Sequence, residues 1–133
     1  MRDIVWKSLC CPVDFSQESR AALLVALDLA RRLGAELTLL HVEDGGSADP
    51  ASLDAWLADA TAAGVRAEGA RAPGDPQVAI ARFAEEHGTD AIVMGTHGRA
   101  GRAHSLVGSV AESTVRAARC PVMVVHSDWT GIR

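Results

Sequence analysis

No long run of lysine or arginine occurs in this chain, and that scarcity tells against two classes of partner. Charges of both signs are mixed along the sequence and the formal net charge is −4. Neither the positive footprint of a nucleic-acid binder nor a polybasic membrane patch is therefore expected. Apolar stretches of the ~20 residues that span a bilayer are absent too. The opening Met1-Arg2-Asp3-Ile4-Val5-Trp6-Lys7 interrupts its apolar residues too early for a signal peptide, and Pro12 and Asp14 soon follow. The expectation is a soluble, cytoplasmic protein. Cysteine is sparse: three residues, an odd count, with no Cys-x-x-Cys spacing. That argues against both a disulfide framework and a zinc site. Cys10 and Cys11 are adjacent in an apolar run, where a strand would turn them to opposite faces of a sheet. They read as small buried hydrophobes.

The familiar catalytic signatures are missing as well. There is no His-Glu-x-x-His, no Gly-x-Ser-x-Gly and no carboxylate pair at a catalytic spacing. His41, His87, His104 and His126 are scattered without metal-ligand spacing. His97 lies inside a glycine-rich segment, but nothing in the sequence identifies a partner that would orient it as a base.

What is present suits one domain spanning residues 1–133, with 48% hydrophobic residues to build its core. Five apolar runs alternate with four amphipathic stretches. The run from Ser8 to Val13 stops at Asp14. Ser16 then caps a helix to about Leu33, with Gly34 as its stop and Ala22, Ala26, Leu29, Ala30 and Leu33 on one face. Leu37–Val42 is the second run. Asp49-Pro50 starts the next helix, with Leu53, Trp56, Leu57 and Ala60 as its buried stripe, and Gly64 ends it. Val65–Arg71 alternates weakly, as an edge strand would. Asp75-Pro76 starts a third helix with Ile80, Phe83 and Ala84 facing inward, and Gly88 stops it. Ala91–Met94 and Pro121–Val125 are continuously apolar, which indicates strands covered on both faces. The order βαβαβαβαβ predicts a three-layer, doubly wound α/β domain.

The informative segment runs from Gly95 to Ser109, between the fourth strand and the apolar helical pattern Val110, Ala111, Val115, Ala118. Its glycines are expected to permit positive φ and close approach of a ligand to main-chain N–H groups. Gly108 and Ser109 fall where the N–H groups of a helix start have no intrahelical partner, a phosphate site to which the serine hydroxyl adds a donor. Arg99 and Arg102 would place positive charge over the same loop. The segment is neither a Walker A loop, lacking Gly-Lys-Ser/Thr, nor a Gly-x-Gly-x-x-Gly fingerprint. Asp14 lies at the carboxyl end of the first strand, as Gly95 does at the end of the fourth. In an open parallel sheet, ligands bind beyond the carboxyl ends where the strand order reverses. Asp14 can accept bonds from ribose or base there, or can cap the first helix with Ser16; both roles stay open.

The pattern Gly95-x2-Gly98-x9-Gly108-Ser109 resembles the ATP-binding signature of universal stress proteins. Pro12-Val13-Asp14-Phe15-Ser16, Asp90-Ala91-Ile92-Val93-Met94-Gly95 and Cys120-Pro121-Val122-Met123-Val124-Val125 are similar to strands of that family. The likeness covers nearly the whole chain. It implies a Rossmann-like, five-stranded parallel sheet in order 3-2-1-4-5, akin to adenine nucleotide alpha hydrolases. It also implies a homodimer through the last strands, with Val122 and Val124 at the seam, and an adenine nucleotide (ATP, ADP or AMP) across the first and fourth strand ends. By the same resemblance Pro12 and Asp14 match the base and ribose region, and Val42 the residue whose backbone faces adenine. Met94, Gly95, Gly98, Gly108, Ser109 and Val110 match the ribose–phosphate loop. The stretch between Val42 and Val65 is short for the family, which implies a reduced second helix or adenine-side loop. Ala111 replaces a hydroxyl of some members, which implies one phosphate contact fewer. Three functions stay in view: a nucleotide-binding regulator of the stress response, a dimeric interaction module that has lost the ligand, and a slow ATPase. In the last, Asp14 and Ser109 would share a Mg²⁺ ion.

Overall fold

Pairing begins at Ser8–Pro12, strand β1, whose residues Leu9, Cys10 and Cys11 are wholly buried. A computed structural model describes residues 2–45, 49–97 and 108–132. Chain order then gives α1 (Gln17–Leu33), β2 (Glu36–Glu43), α2 (Pro50–Ala62), β3 (Ala67–Pro73), α3 (Pro76–Glu86), β4 (Ala91–Gly95), α4 (Ser109–Ala117) and β5 (Val122–Val125). The five strands are all parallel in the order β3-β2-β1-β4-β5, as the family resemblance implies. Helices α1 and α2 pack on one face and α3 and α4 on the other. Cys11 joins the α1/α2 layer and Cys10 the α3/α4 layer, the opposite-face placement expected of neighbours in a strand.

The helix starts follow from local chemistry. Ser16 accepts from the Ser19 N–H at the head of α1, Asp49 from Ala51 and Asp75 from Gln77, and in the latter two a proline opens the first turn. Gly34, at φ 66°, ends α1 in the left-handed region. The second helix runs over 13 residues.

Several inward faces differ from expectation. Leu33, the last residue of α1, is 47% exposed, while Leu23 and Leu27 sit inside. In α4, Val115 is 51% exposed, and Thr114 takes the inner position with its hydroxyl donating to the Val110 carbonyl. Phe83 is half-buried and stacks on His87. The third strand starts at Ala67 rather than Val65, which is buried just before it.

The seam between β1 and β4 joins the two halves of the sheet. At its amino end it is locked: the Asp90 carboxylate accepts from the N–H groups of Lys7 (2.8 Å) and Ser8 (2.9 Å), and the Asp90 N–H donates to the Ser8 carbonyl. At its carboxyl end it opens, and the site lies there.

Candidate functional site

Pro12 opens the seam. The Val13 N–H donates to the Leu40 carbonyl of β2 at 2.8 Å. Successive residues of a parallel strand direct their backbone groups to opposite neighbours, so the N–H that proline lacks is the one that would face β4. Accordingly β1 pairs with β2 through Pro12↔Leu40 but with β4 only at Leu9↔Ala91 and Cys10↔Ile92. Strand β4 instead continues beside β5 as far as Gly95↔Val125. The crevice therefore stands at the reversal of strand order, beyond the carboxyl ends, where ligands of open α/β sheets bind. Extending the registers sets Asp14, Val42 and Thr96 at one level across β1, β2 and β4.

The glycines on this rim act by close approach, not by unusual dihedrals. Gly95 does not have positive φ; a Cβ there would lie 2.7 Å from the Glu18 backbone, so the first turn of α1 can cross the end of β4 only over a glycine. Gly108 is the N-cap of α4 with φ −68° and ψ 159°, which any residue adopts. Its N–H donates to the Thr96 carbonyl at 2.6 Å, and a Cβ would collide with that same oxygen. The expectation of positive φ at these two positions is thus corrected. Packing of the end of β4 against the first turn of α1 (at Gly95) and against the start of α4 (at Gly108) selects glycine.

That packing sets α4 apart. The N-cap side-chain oxygens of α1, α2 and α3 accept from N–H groups of their first turns, whereas Gly108 has no side chain to do so. The exposed Ser109 is the first residue of α4 and Val110 is half-buried behind it. Ala111 is buried in the layer under α4, so its side chain faces the core.

The remaining site residues fall as follows. Asp14 is half-buried, and its Oδ1 accepts from both the backbone N–H and the hydroxyl of Ser16. Met94 and Val42 are buried with side chains in the α3/α4 layer. Gly98 and Arg99, like Arg102 and His104, lie outside the described residues. Sequence reasoning missed Thr96, 4% exposed and the acceptor for Gly108, and it gave His97 no partner. His97 Nδ1 stands 3.3 Å from Thr96 Oγ1, and Nε2 is buried at the rim of the crevice without a hydrogen-bond partner among the described residues. An orphaned polar atom of that kind suits a polar ligand. Among the described residues no group of three His, Cys, Asp or Glu could hold a metal ion, and no helix is long and apolar enough to cross a membrane.

Comparison with known proteins gives a consistent result. A family model described as the universal stress protein family matches residues 6–126. A universal stress protein of Methanocaldococcus jannaschii is 32% identical over an alignment covering 91% of this chain and 82% of that protein. The solved universal stress protein UspA from Lactobacillus plantarum is 28% identical, with a TM-score of 0.74 over 92% of this chain and 99% of its own. A universal stress protein solved in complex with cAMP is 27% identical, with a TM-score of 0.75 over 94% of this chain and 100% of its own.

Proposed function

The chain belongs to the universal stress protein family, and on that premise we propose that it binds an adenine nucleotide in the crevice between β1 and β4. The observation that carries the reading is the meeting of two features at one place. The seam opens after Cys10↔Ile92, and α4 begins beside it with no side-chain cap on its first turn among the described residues. Unpaired N–H groups and the positive end of the helix dipole favour a phosphate. The cAMP complex of a relative of like fold supports the same ligand class.

In this reading the first turn of α4 and the Ser109 hydroxyl hold phosphate oxygens, and Asp14 accepts from ribose hydroxyls. Pro12 and the backbone at Val42 border the base, and Met94, Gly95 and Val110 line the remaining rim. Gly98 and Arg99 enter by the spacing of the motif alone. The ligand is ATP, ADP or AMP. Where it is ATP, an accompanying Mg²⁺ takes phosphate oxygens, with Asp14 and Ser109 as the oxygen-bearing side chains that would share it. Binding sets the protein's conformation or choice of partner in the cytoplasm; rapid turnover is not required. A second copy covers the edge of β5, where Val122 and Val124 are half-buried and Met123 is 40% exposed, since a bare apolar edge invites uncontrolled pairing.

The test is to purify the chain, denature it and identify any released nucleotide by mass. Calorimetric titration with ATP, ADP, AMP and cAMP then follows. Affinity in the micromolar range for at least one supports the reading. No released nucleotide and no heat at millimolar ligand would overturn it and leave a dimeric interaction module of the same fold.

A further inference from the structure

One described non-glycine residue has positive φ, and it is Phe15, at 66°. A bulky side chain rarely adopts that conformation, which persists only where the surroundings over-determine it. They do so here. The Phe15 ring sits 5.0 Å from the His41 ring and meets Trp56 edge-on at 5.2 Å. Each wall of this wedge is itself held. His41 Nδ1 donates to the Val13 carbonyl at 2.9 Å, so β2 grips the same turn two residues upstream. The Arg20 guanidinium stands 5.2 Å from the Trp56 ring centroid and pairs with Asp59 at 2.9 Å, tying α2 to α1. Immediately before Phe15 comes Asp14, whose carboxylate accepts from Ser16 on the far side of the turn.

We propose that Phe15 is a positioning residue for the nucleotide: its ring, wedged between His41 and Trp56, holds the strained backbone that fixes the Asp14 carboxylate at the crevice. The proposal rests on the adenine-nucleotide reading above. It gives α2, which contributes no site residue, a direct mechanical link to the ligand. A pull on Asp14 moves Phe15, and Phe15 touches Trp56.

Phe15→Ala, Phe15→Gly and Phe15→Tyr are compared with the parent by ATP calorimetry and thermal melting. Phe15→Ala weakens ATP about tenfold or more, the scale of one lost hydrogen bond to a charged group. Phe15→Gly loses less, because glycine reaches the left-handed region without strain, and Phe15→Tyr, which keeps the ring, binds as the parent does. A second readout uses Trp6→Phe and Trp129→Phe together, leaving Trp56 as the only indole. In that protein ATP shifts the Trp56 emission, and adding Phe15→Gly abolishes the shift. Parent-like ATP affinity in Phe15→Ala and Phe15→Gly, with only melting affected, overturns the proposal. So does a silent Trp56 in a protein that binds ATP. A parent that binds no nucleotide removes the functional reading and this inference with it. Should Phe15→Ala not fold, the glycine variant and the emission measurement decide.

Discussion

Gly108 and Ser109 are neighbours whose replacement by alanine should give opposite results. At Gly108 the added Cβ meets the Thr96 carbonyl oxygen, a backbone atom flanked by the Thr96 N–H bond to Val125. The start of α4 must move, breaking the 2.6 Å bond from Gly108 to Thr96. Overpacking costs about 1–3 kcal/mol and the lost hydrogen bond about 0.5–1.5 kcal/mol. At the scale of this domain the total lowers the melting temperature by roughly 10 °C. Ser109 is exposed, and its alanine variant should change stability by less than about 0.5 kcal/mol. Its hydroxyl, however, would bond a phosphate, worth roughly 1.5–3 kcal/mol, so ATP should bind about ten- to a hundredfold more weakly. Titration calorimetry beside differential scanning calorimetry separates the two. A Ser109→Ala protein that binds ATP like the parent would refute the phosphate-loop reasoning. A Gly108→Ala protein that melts like the parent would refute the packing argument.

Three further outcomes are expected. Asp14→Asn should weaken nucleotide binding more than it lowers the melting temperature; equal losses would return Asp14 to a capping role. Sedimentation at micromolar concentration should show a dimer that Val124→Lys shifts towards monomer, and a parent that sediments as a monomer would disprove pairing through β5. Burial pushes the Cys11 thiol from its ordinary 9.0 up to about 12, and Cys10 higher still for the same reason, aided by Cys11 and Cys120. The unfolded chain therefore releases these protons first, and stability declines from about pH 9 towards pH 12. By pH 10 the loss is about 3 kcal/mol for the pair. The chain has no tyrosine and Lys7 is its one lysine, so few other groups titrate there. Urea denaturation that gives the same stability at pH 8 and pH 10.5 would contradict this burial.

Features written in local chemistry were legible beforehand. Ser16, Asp49-Pro50 and Asp75-Pro76 announce helix starts because a cap needs only residues within one turn. Continuous apolar runs announce buried parallel strands for the same reason. Helix faces were less legible: whether Leu33 or Val115 is covered depends on which side of the helix meets the sheet and its neighbours, which periodicity does not contain. The site divides likewise. Glycine spacing marked the loop, but the reason for Gly95 and Gly108 lies in Glu18 and Thr96, contacts that only the fold creates. Nothing in the sequence marked the left-handed backbone of Phe15, which is ordinarily signalled by glycine or asparagine.

The seam between β1 and β4 also sets a timetable. The flanks of β1 come from very different points in synthesis: β2 follows at Glu36, whereas β4 is complete only at Gly95. As the chain leaves the ribosome, β1, α1 and β2 can assemble while the other edge of β1 stays bare, with the apolar Leu9–Cys11 beside it. Translating from Glu43 to Ala91 takes roughly 2–10 s, and open apolar edges aggregate in such intervals. Closure comes when Asp90 arrives and its carboxylate seizes the N–H groups of Lys7 and Ser8. The exposure of that edge during synthesis is thus concentrated in those seconds, fixed by the order of its segments and not by the stability of the finished fold.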